Sequence, residues 1–297
     1  MNSVATFIAA PSGGTLDAAL LRAAAAHLPE SGPPVWLDAG VAADLPFDAP
    51  GETLRALRDT ILASLAGRPV DVVVQPSAGR RKKLLVADMD STIIGQECLD
   101  ELADFVGRKT QVAAITEKAM RGEIAFEPAL RERVALLAGL PVDTVDTVIA
   151  KRISLNPGAR TLVATMRANG AHTILVSGGF TLFTDRIGAM AGFTENRANT
   201  LLASGGRFTG KVAEPILGRV AKLATLEDAI IRFGLKAADT LAVGDGANDL
   251  AMIERAGLGV AYHAKPRVAE AAAARIDHGD LTALLYAQGY RRDEFLS

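Results

Sequence analysis

The sequence contains one cysteine, Cys98, among 297 residues, and this scarcity excludes a framework of disulfide bonds within the chain. Cys98 lies in an apolar helical pattern, which favours a buried thiol over a nucleophile. A protein without structural disulfides fits a reducing compartment, so we expect a cytoplasmic protein.

Long hydrophobic runs and an excess of one charge are also absent. No apolar stretch is long and clean enough to span a bilayer, and the first residues lack the basic leading region of a signal peptide. The 32 lysine and arginine residues nearly balance the 34 aspartate and glutamate residues. We therefore expect neither nucleic acid nor a membrane as a partner, and any anion-binding site must be local.

The chain has ample length and hydrophobic content. With 297 residues, 49% of them hydrophobic, it can bury a large core and divide into more than one unit. Strand patterns at 4–9, 34–38 and 69–75 alternate with helical patterns at 15–28 and 52–66. They predict a small α+β N-terminal domain at 1–80, for which a regulatory role stays open. The basic run from Arg80 to Lys83 is typical of a solvated linker.

Residues 81–297 are predicted to form a catalytic domain. The continuous apolar run from Leu84 to Ala87 ends at Asp88, which is the pattern of a central parallel strand covered on both faces. Helical periodicity then predicts a helical cap at about 97–155. Helix 159–168 and strand patterns at 173–176, 240–244 and 257–261 follow. We therefore expect an α/β fold, a doubly wound parallel sheet with a helical cap inserted after its first core strand.

Polar residues follow three predicted strands, at the edge where ligands of open α/β sheets gather. The three segments are Asp88-Met-Asp90, Ser177-Gly178-Gly179 and Gly244-Asp245-Gly246-Ala-Asn248-Asp249. Aspartates from two strand ends would form a cluster that needs a cation, because like charges at short range resist ionising together. Mg²⁺ suits such oxygen ligands, whereas Zn²⁺ would favour clustered Cys or His, which the sequence lacks.

Each of these signals has an ordinary alternative when it is taken alone. An Asp-x-Asp pair is consistent with a plain loop, although a second acidic segment argues against that interpretation. A glycine pair after a strand is usually a turn, and only its position suggests N–H groups that hold phosphate oxygens. Lys222 lies in a helical pattern whose lysines normally face solvent.

Taken together, the segments DMDSTII and SGGF, the residue Lys222 and the segment GDGANDL resemble the ordered motifs of haloacid dehalogenase-type phosphatases. The resemblance spans residues 84–290. The segments ECLDELAD, ITEKAMRGEIAFEPALRERVALLAGL and GVAYHAKPRV are similar to the phosphoserine phosphatase family within that superfamily. The resemblance implies a Mg²⁺-dependent phosphoric monoester hydrolase that converts L-phosphoserine to L-serine and phosphate, the last step of serine biosynthesis. The N-terminal 80 residues match poorly.

The resemblance also implies residue roles. Asp88 would be the nucleophile that forms an aspartyl-phosphate, and Asp90 the general acid and then the base. Asp88, Asp245 and the backbone carbonyl of Asp90 would bind Mg²⁺, and Asp249 would hold a metal-bound water. The residues expected to contact substrate are Glu97, Phe126, Arg133, Ser177, Gly178, Lys222 and Asn248. Since these residues all lie beyond Lys83, we expect the chemistry to survive deletion of 1–80.

Specificity is expected to come from the cap, because the core motifs serve many phosphate esters. Arg133 can pair with the substrate carboxylate and Glu97 with its ammonium group. Phe126 and Arg133 are seven positions apart, so a continuous helix places both on one face, where Phe126 would cover the substrate. Without the resemblance, Phe126 would be interpreted as a core aromatic and the two charged residues as surface charges.

Three alternatives stay open. A phosphatase or phosphotransferase for another small ester would share the core residues and differ in the cap. A receiver-type signalling domain also accepts phosphate on a strand-end aspartate, but lacks the helical insertion and the second acidic segment. An amino-acid sensor would require an inactive hydrolase site, although every catalytic position is filled. The sequence leaves a homodimer open.

Overall fold

The computed structural model describes residues 1–11, 15–120 and 123–297. The first sheet consists of β1 (Ser3–Ala9), β2 (Val35–Asp38), β3 (Ala42–Phe47) and β4 (Val70–Pro76), with helices α1 (Ala18–Ala25) and α2 (Leu54–Ser64). The strands are antiparallel in the order β2-β3-β1-β4. The sequence patterns miss β3, whose segment AADLPF combines an acidic residue with a proline. They also make α1 too long at both ends.

The second sheet is parallel throughout. Its six strands are β5 (Leu84–Asp88), β6 (His172–Phe180), β7 (Glu195–Asn199), β10 (Thr240–Gly244), β11 (Leu258–Tyr262) and β12 (Ala274–Ile276). Between β7 and β10 in the chain, β8 (Leu201–Ser204) and β9 (Arg207–Val212) form a separate small hairpin. The order β12-β11-β10-β5-β6-β7 places β5 in the middle, between β10 and β6. The predicted parallel sheet is confirmed, but β7, β12 and the hairpin are further strands that the sequence patterns do not reveal.

Further helices follow β5 in the chain. They are α3 (Cys98–Phe105), α4 (Lys109–Met120), α5 (Phe126–Ala135), α6 (Thr144–Arg152), α7 (Ala159–Ala168), α8 (Thr181–Ala191), α9 (Arg219–Arg232), α10 (Leu250–Arg255), α11 (Pro266–Ala271) and α12 (Ala283–Ala287). Helices α7 to α11 pack against the second sheet. Helices α3 to α6 lie between β5 and β6 in the chain, so the predicted cap insertion is confirmed. Among the described residues, no helix is both long enough and apolar enough to cross a bilayer.

Strand β5 is buried on both faces, as its apolar run predicts. Successive side chains point to opposite faces of a strand. Leu85 and Ala87 accordingly join a core cluster that includes residues of α7 and α8, whereas Leu84 and Val86 join another with residues of α9 and α10. The strand that ends at Asp88 is therefore fixed by packing from both sides.

The first sheet is also covered on both faces. Phe7 and Val72 belong to a cluster with the apolar faces of α1 and α2. Ile8 and Val73, one position further along each strand, belong instead to the large cluster that contains Tyr286 of α12. The hydrophobic core therefore continues from the first sheet into the rest of the chain.

The predicted solvated linker is wrong for two of its four basic residues. Arg80 forms a bidentate pair with Asp44, at 2.6 and 3.0 Å, and its side chain is 14% exposed. Lys82 is buried, and its Nζ donates to the carbonyls of Gly79 and Ala238, both at 2.8 Å. Asp44 and the carbonyl of Ala238, both distant in sequence, bind these side chains inside the protein. The local composition does not reveal such partners.

Candidate active site

The three polar segments meet at one edge of the second sheet. Strands β10, β5 and β6 are neighbours and parallel, so their carboxyl ends lie side by side. After β5, Asp90 keeps an extended backbone and Ser91 adopts a positive φ of 56°. This turn leaves both Asp88 and Asp90 lining a cleft with a volume of about 200 Å³.

Lys222 is buried beside Asp88 and is not solvent-facing. Its Nζ is 2.7 Å from Oδ1 of Asp88 and 2.5 Å from Oδ1 of Asp249, and its side chain is 3% exposed. Burial lowers the pKa of Lys222, but the attraction of the two carboxylates outweighs burial, so that its net pKa is raised. The residue is therefore a cation held in place by two carboxylates, one of them Asp88.

Burial dominates the electrostatics of both aspartates on the β5 turn. It raises the pKa of Asp88 well above its ordinary value, although Lys222 offsets part of the rise. Burial also raises the pKa of Asp90, while hydrogen bonds from Cys98 and Ser177 oppose the rise. Oδ1 of Asp90 accepts from the backbone N–H of Cys98 at 2.9 Å, and Oδ2 accepts from Oγ of Ser177 at 3.1 Å. A carboxyl group with a raised pKa suits proton donation.

The acidic cluster fits a divalent cation. One carboxylate oxygen from each of Asp88, Asp245 and Asp249 lies within 4.8 Å of the others. Lys222 and Lys265 supply two positive charges near three carboxylates, and burial followed by repulsion from Asp249 still raises the pKa of Asp245. A hard cation with oxygen ligands would relieve this repulsion.

Asp249 is largely engaged by the protein. Its Oδ1 accepts from Lys222, and its Oδ2 accepts from the backbone N–H of Gly246 at 3.0 Å. A Cβ on Gly244 would lie 2.4 Å from Cγ of Asp249, so a larger residue there would displace the Asp249 side chain. Asn248 itself lines the cleft. The water-holding role expected for Asp249 stays a prediction.

The Ser177 segment differs from the simple turn that its sequence predicts. Strand β6 continues to Phe180 with irregular pairing after Val176, and α8 begins directly afterwards. Oγ of Ser177 accepts from the N–H of Gly179 at 2.8 Å. The serine and Gly178 both line the cleft beside Asp88.

The cap contributes three of the predicted side chains to the same cleft. Phe126 and Arg133, both on α5, line it together with Glu97 at the start of α3. The Phe126 ring lies over the core motifs, because a Cβ on Gly178 would be 3.7 Å from it and one on Gly218 would be 3.5 Å away. The structure therefore brings all the predicted cap residues to the aspartate cluster.

Arg133 and Glu97 place opposite charges in the cleft. Burial lowers the pKa of Arg133, partly offset by Asp100 and Glu97, and its Nε donates to the carbonyl of Ala129 at 3.3 Å. The guanidinium forms no ion pair with any carboxylate of the described residues. Although the Glu97 residue is exposed overall, desolvation of its carboxyl group and then repulsion from Asp90 raise its pKa to about 7.

The sequence reasoning gives no role to one residue that lines the cleft and to two residues that hydrogen-bond to cleft residues. Lys265 lines the cleft beside Asp245, and the segment GVAYHAKPRV that contains it resembles the family without implying a role for the lysine. Ser91 donates to Oε1 of Glu97 at 2.8 Å. Asn199 donates to the carbonyl of Gly178 at 2.9 Å, and the pairing of β7 with β6 brings it there.

Comparisons with known proteins cover both parts of the chain. A family model described as haloacid dehalogenase-like hydrolase matches residues 85–254. A phosphoserine phosphatase from Polaromonas sp. is 48% identical over 208 residues, which are 68% of this chain and 88% of the relative. A solved HAD family hydrolase from Salmonella enterica serovar Typhi gives a TM-score of 0.84 at 29% identity, over 96% of this chain and 97% of that one. The solved structure of a probable phosphoserine phosphatase from Vibrio cholerae gives a TM-score of 0.77 at 30% identity, over 99% of this chain and 88% of that one.

Proposed function

We propose that this chain, which belongs to the phosphoserine phosphatase family of the haloacid dehalogenase-like hydrolases, converts L-phosphoserine to L-serine and phosphate. In that role it catalyses the last step of serine biosynthesis. The observation that carries the proposal is the shared cleft. It places Arg133 and Glu97, which suit the two charges of an amino acid, beside Asp88, which suits phosphoryl transfer.

In the first half-reaction, the carboxylate of Asp88 attacks phosphorus and the bond from phosphorus to the seryl oxygen breaks. Asp90 gives its proton to that oxygen, since a serine alkoxide is a poor leaving group. L-Serine leaves, and an aspartyl-phosphate remains on Asp88. The raised pKa of Asp90 supports its role as the acid.

In the second half-reaction, Asp90 takes a proton from water, which attacks the phosphoryl group on Asp88 and releases phosphate. Lys222, Ser177 and Gly178 are proposed to hold the phosphoryl oxygens through both steps. Positioning and charge supply most of the catalysis in such transfers. The buried Lys222 suits this purpose because Asp88 and Asp249 already fix its position.

Asp88 and Asp245, with the backbone carbonyl of Asp90, are proposed to hold Mg²⁺. When it is bound, the cation neutralises charge on the phosphoryl group and on the carboxylate cluster. The donor set of hard oxygens supports Mg²⁺, which commonly combines few carboxylates with waters and substrate phosphate.

The cap is proposed to select the amino acid. Arg133 would take the substrate carboxylate in a bidentate pair, and Glu97 the ammonium group. Phe126, which lies over Gly178 and Gly218, would exclude water from the reacting groups. A neutral carboxyl cannot pair with ammonium, so the Glu97 pKa of about 7 predicts weaker binding below neutral pH.

The test is the initial rate of phosphate release from L-phosphoserine, D-phosphoserine, phosphothreonine and an aryl phosphate, each with and without Mg²⁺. We expect L-phosphoserine to have the highest kcat/KM and to require the metal. Equal rates on all four esters would contradict the proposed specificity for an amino acid. The chain would then be a phosphatase for another small ester.

The organisation of the whole chain is also a proposal. Two separate sheets support a boundary near residue 80 between an N-terminal domain and the catalytic domain. A cytoplasmic setting, a homodimer and a regulatory role of the N-terminal domain stay predictions. Gel filtration with light scattering would decide the oligomeric state.

A further inference from the structure

The carboxylate of Asp71, on β4 of the first sheet, holds the backbone of the loop 277–282, which follows β12 of the second sheet. Its side chain is only 2% exposed. Oδ1 accepts from the N–H of Asp277 at 2.8 Å and of His278 at 3.2 Å, and Oδ2 accepts from the N–H of Gly279 at 2.7 Å. Consecutive N–H groups form a concave anion site, which a side chain from the first sheet fills here. A Cβ on Gly279 would lie 3.0 Å from Oδ2, so the backbone of the loop packs tightly against the carboxylate.

One chain of hydrogen bonds leads from this loop to the segment that carries Asp245. The carbonyl of Gly279 is 2.9 Å from Nε2 of His263, directly after β11. Two residues later, the backbone N–H of Lys265 donates to the carbonyl of Asp245 at 3.2 Å. The loop held by Asp71 is therefore tied to one side of the carboxylate cluster.

A second chain leads to the turn that carries the catalytic aspartates. Leu281, at the end of the same loop, donates its N–H to the carbonyl of Pro157 at 3.1 Å. The neighbouring Asn156 donates from its backbone to Ile93 and from Nδ2 to the carbonyl of Thr92, both at 2.8 Å. Both acidic segments of the active site are thus connected to one buried carboxylate of the first sheet.

We propose that Asp71 is a positioning residue for the reaction at Asp88. By fixing the loop 277–282, it holds the turn after β5 and the Asp245 segment at the spacing that phosphoryl transfer requires. Small displacements of reacting groups lower the rate steeply, even when their cause is remote from the chemistry. The inference rests on the proposed function for its substrate, but its physical test does not depend on which ester is hydrolysed.

The experiment compares Asp71→Ala with Asp17→Ala in the full chain. Asp17 is the surface control: it is exposed, and its carboxylate accepts a backbone hydrogen bond within the N-terminal region, from Leu20 at 2.7 Å at the start of α1. Asp71→Asn, which keeps one acceptor oxygen, is the conservative variant. The measurements are kcat and KM for L-phosphoserine and for an aryl phosphate, with hydrogen exchange of the amides at 277–279 and 91–94.

For Asp71→Ala we expect kcat to fall by about tenfold or more on both esters, with KM changed by less than about threefold. Exchange should rise in both loops, Asp71→Asn should recover part of the rate, and Asp17→Ala should leave kcat within about twofold. An unchanged kcat in folded Asp71→Ala, or an equal loss in Asp17→Ala, would overturn the proposal. If Asp71→Ala does not fold, Asp71→Asn is judged by the same criteria. Wild-type protein that hydrolyses only the aryl ester would refute the proposed substrate and leave this test intact.

Discussion

Replacing Arg133 by alanine should separate amino-acid recognition from phosphoryl transfer. The guanidinium is half-buried in the cleft and, among the described residues, forms no ion pair. Its Nε is occupied by the carbonyl of Ala129, which leaves the two terminal amino groups for a ligand. A planar fork of this kind matches a carboxylate in a bidentate pair.

The expected loss follows from removing one partner of a charged, partly desolvated pair. We expect Arg133→Ala to lower kcat/KM for L-phosphoserine by about 2–4 kcal/mol, or roughly 30- to 1,000-fold. An aryl phosphate has no carboxylate at that position, so its kcat/KM should change little. For Arg133→Lys, kcat/KM for L-phosphoserine should lie between those of the wild type and Arg133→Ala, because lysine keeps the positive charge but cannot form a bidentate pair.

Arg131→Ala is the matched control from the same helix. Arg131 is exposed and pairs with Glu214 at 2.6 Å and Glu127 at 3.7 Å. Its removal costs α5 a surface ion pair and should leave the ratio of kcat/KM for L-phosphoserine to that for the aryl ester unchanged. The reasoning is refuted if Arg133→Ala also leaves this ratio unchanged, because the general effects on folding and metal binding cancel in it.

Three further predictions concern the acidic groups. Asp88→Asn should abolish steady-state phosphate release in a folded protein, and more than a trace of activity would contradict its nucleophilic role. Asp90→Asn should slow alkyl esters more than aryl esters, because a good leaving group needs little protonation; equal losses would argue against the acid role. Burial raises the folded-state pKa values of Asp88, Asp90 and Asp245, so the metal-free protein should lose thermal stability as pH rises from about 4 through those values. Mg²⁺ should therefore raise Tm more at about pH 8 than at about pH 5 in thermal-shift measurements, and equal increases would contradict the proposed cluster.

The parts of the fold that follow from the sequence are those fixed by local patterns. Helix 159–168 and strand 240–244 coincide with their predicted bounds, since each combines clear periodicity or an apolar run with flanking turn residues. The three strand-end segments meet as expected, because parallel strands bring their carboxyl ends to one edge. Most of the candidate site could therefore be assembled before the structure was known.

The rest depends on partners that are distant in the chain. The helical pattern around Lys222 does not reveal which face is buried. Its ion pairs with Asp88 and Asp249 make the burial of an ammonium group favourable. The position of Lys265 beside Asp245 likewise depends on the order of β10 and β11 in the sheet. Whether a charged side chain is buried depends on its partners in the tertiary structure. Local composition does not contain these partners and therefore predicts a surface position.

The same reasoning changes what deletion of residues 1–80 can show. Arg80 donates to the carbonyl of Ala287 at 3.2 and 3.3 Å, Gln75 donates to the same carbonyl at 2.6 Å, and Asp71 holds the 277–279 backbone. Deletion would remove these partners together and expose apolar surface at α12, where Tyr286 is buried now. Lost activity after truncation would then combine unfolding with misplaced active-site loops. Single substitutions at the buried polar contacts keep the core in place, so they can separate an N-terminal domain that only stabilises the fold from one that positions the catalytic aspartates.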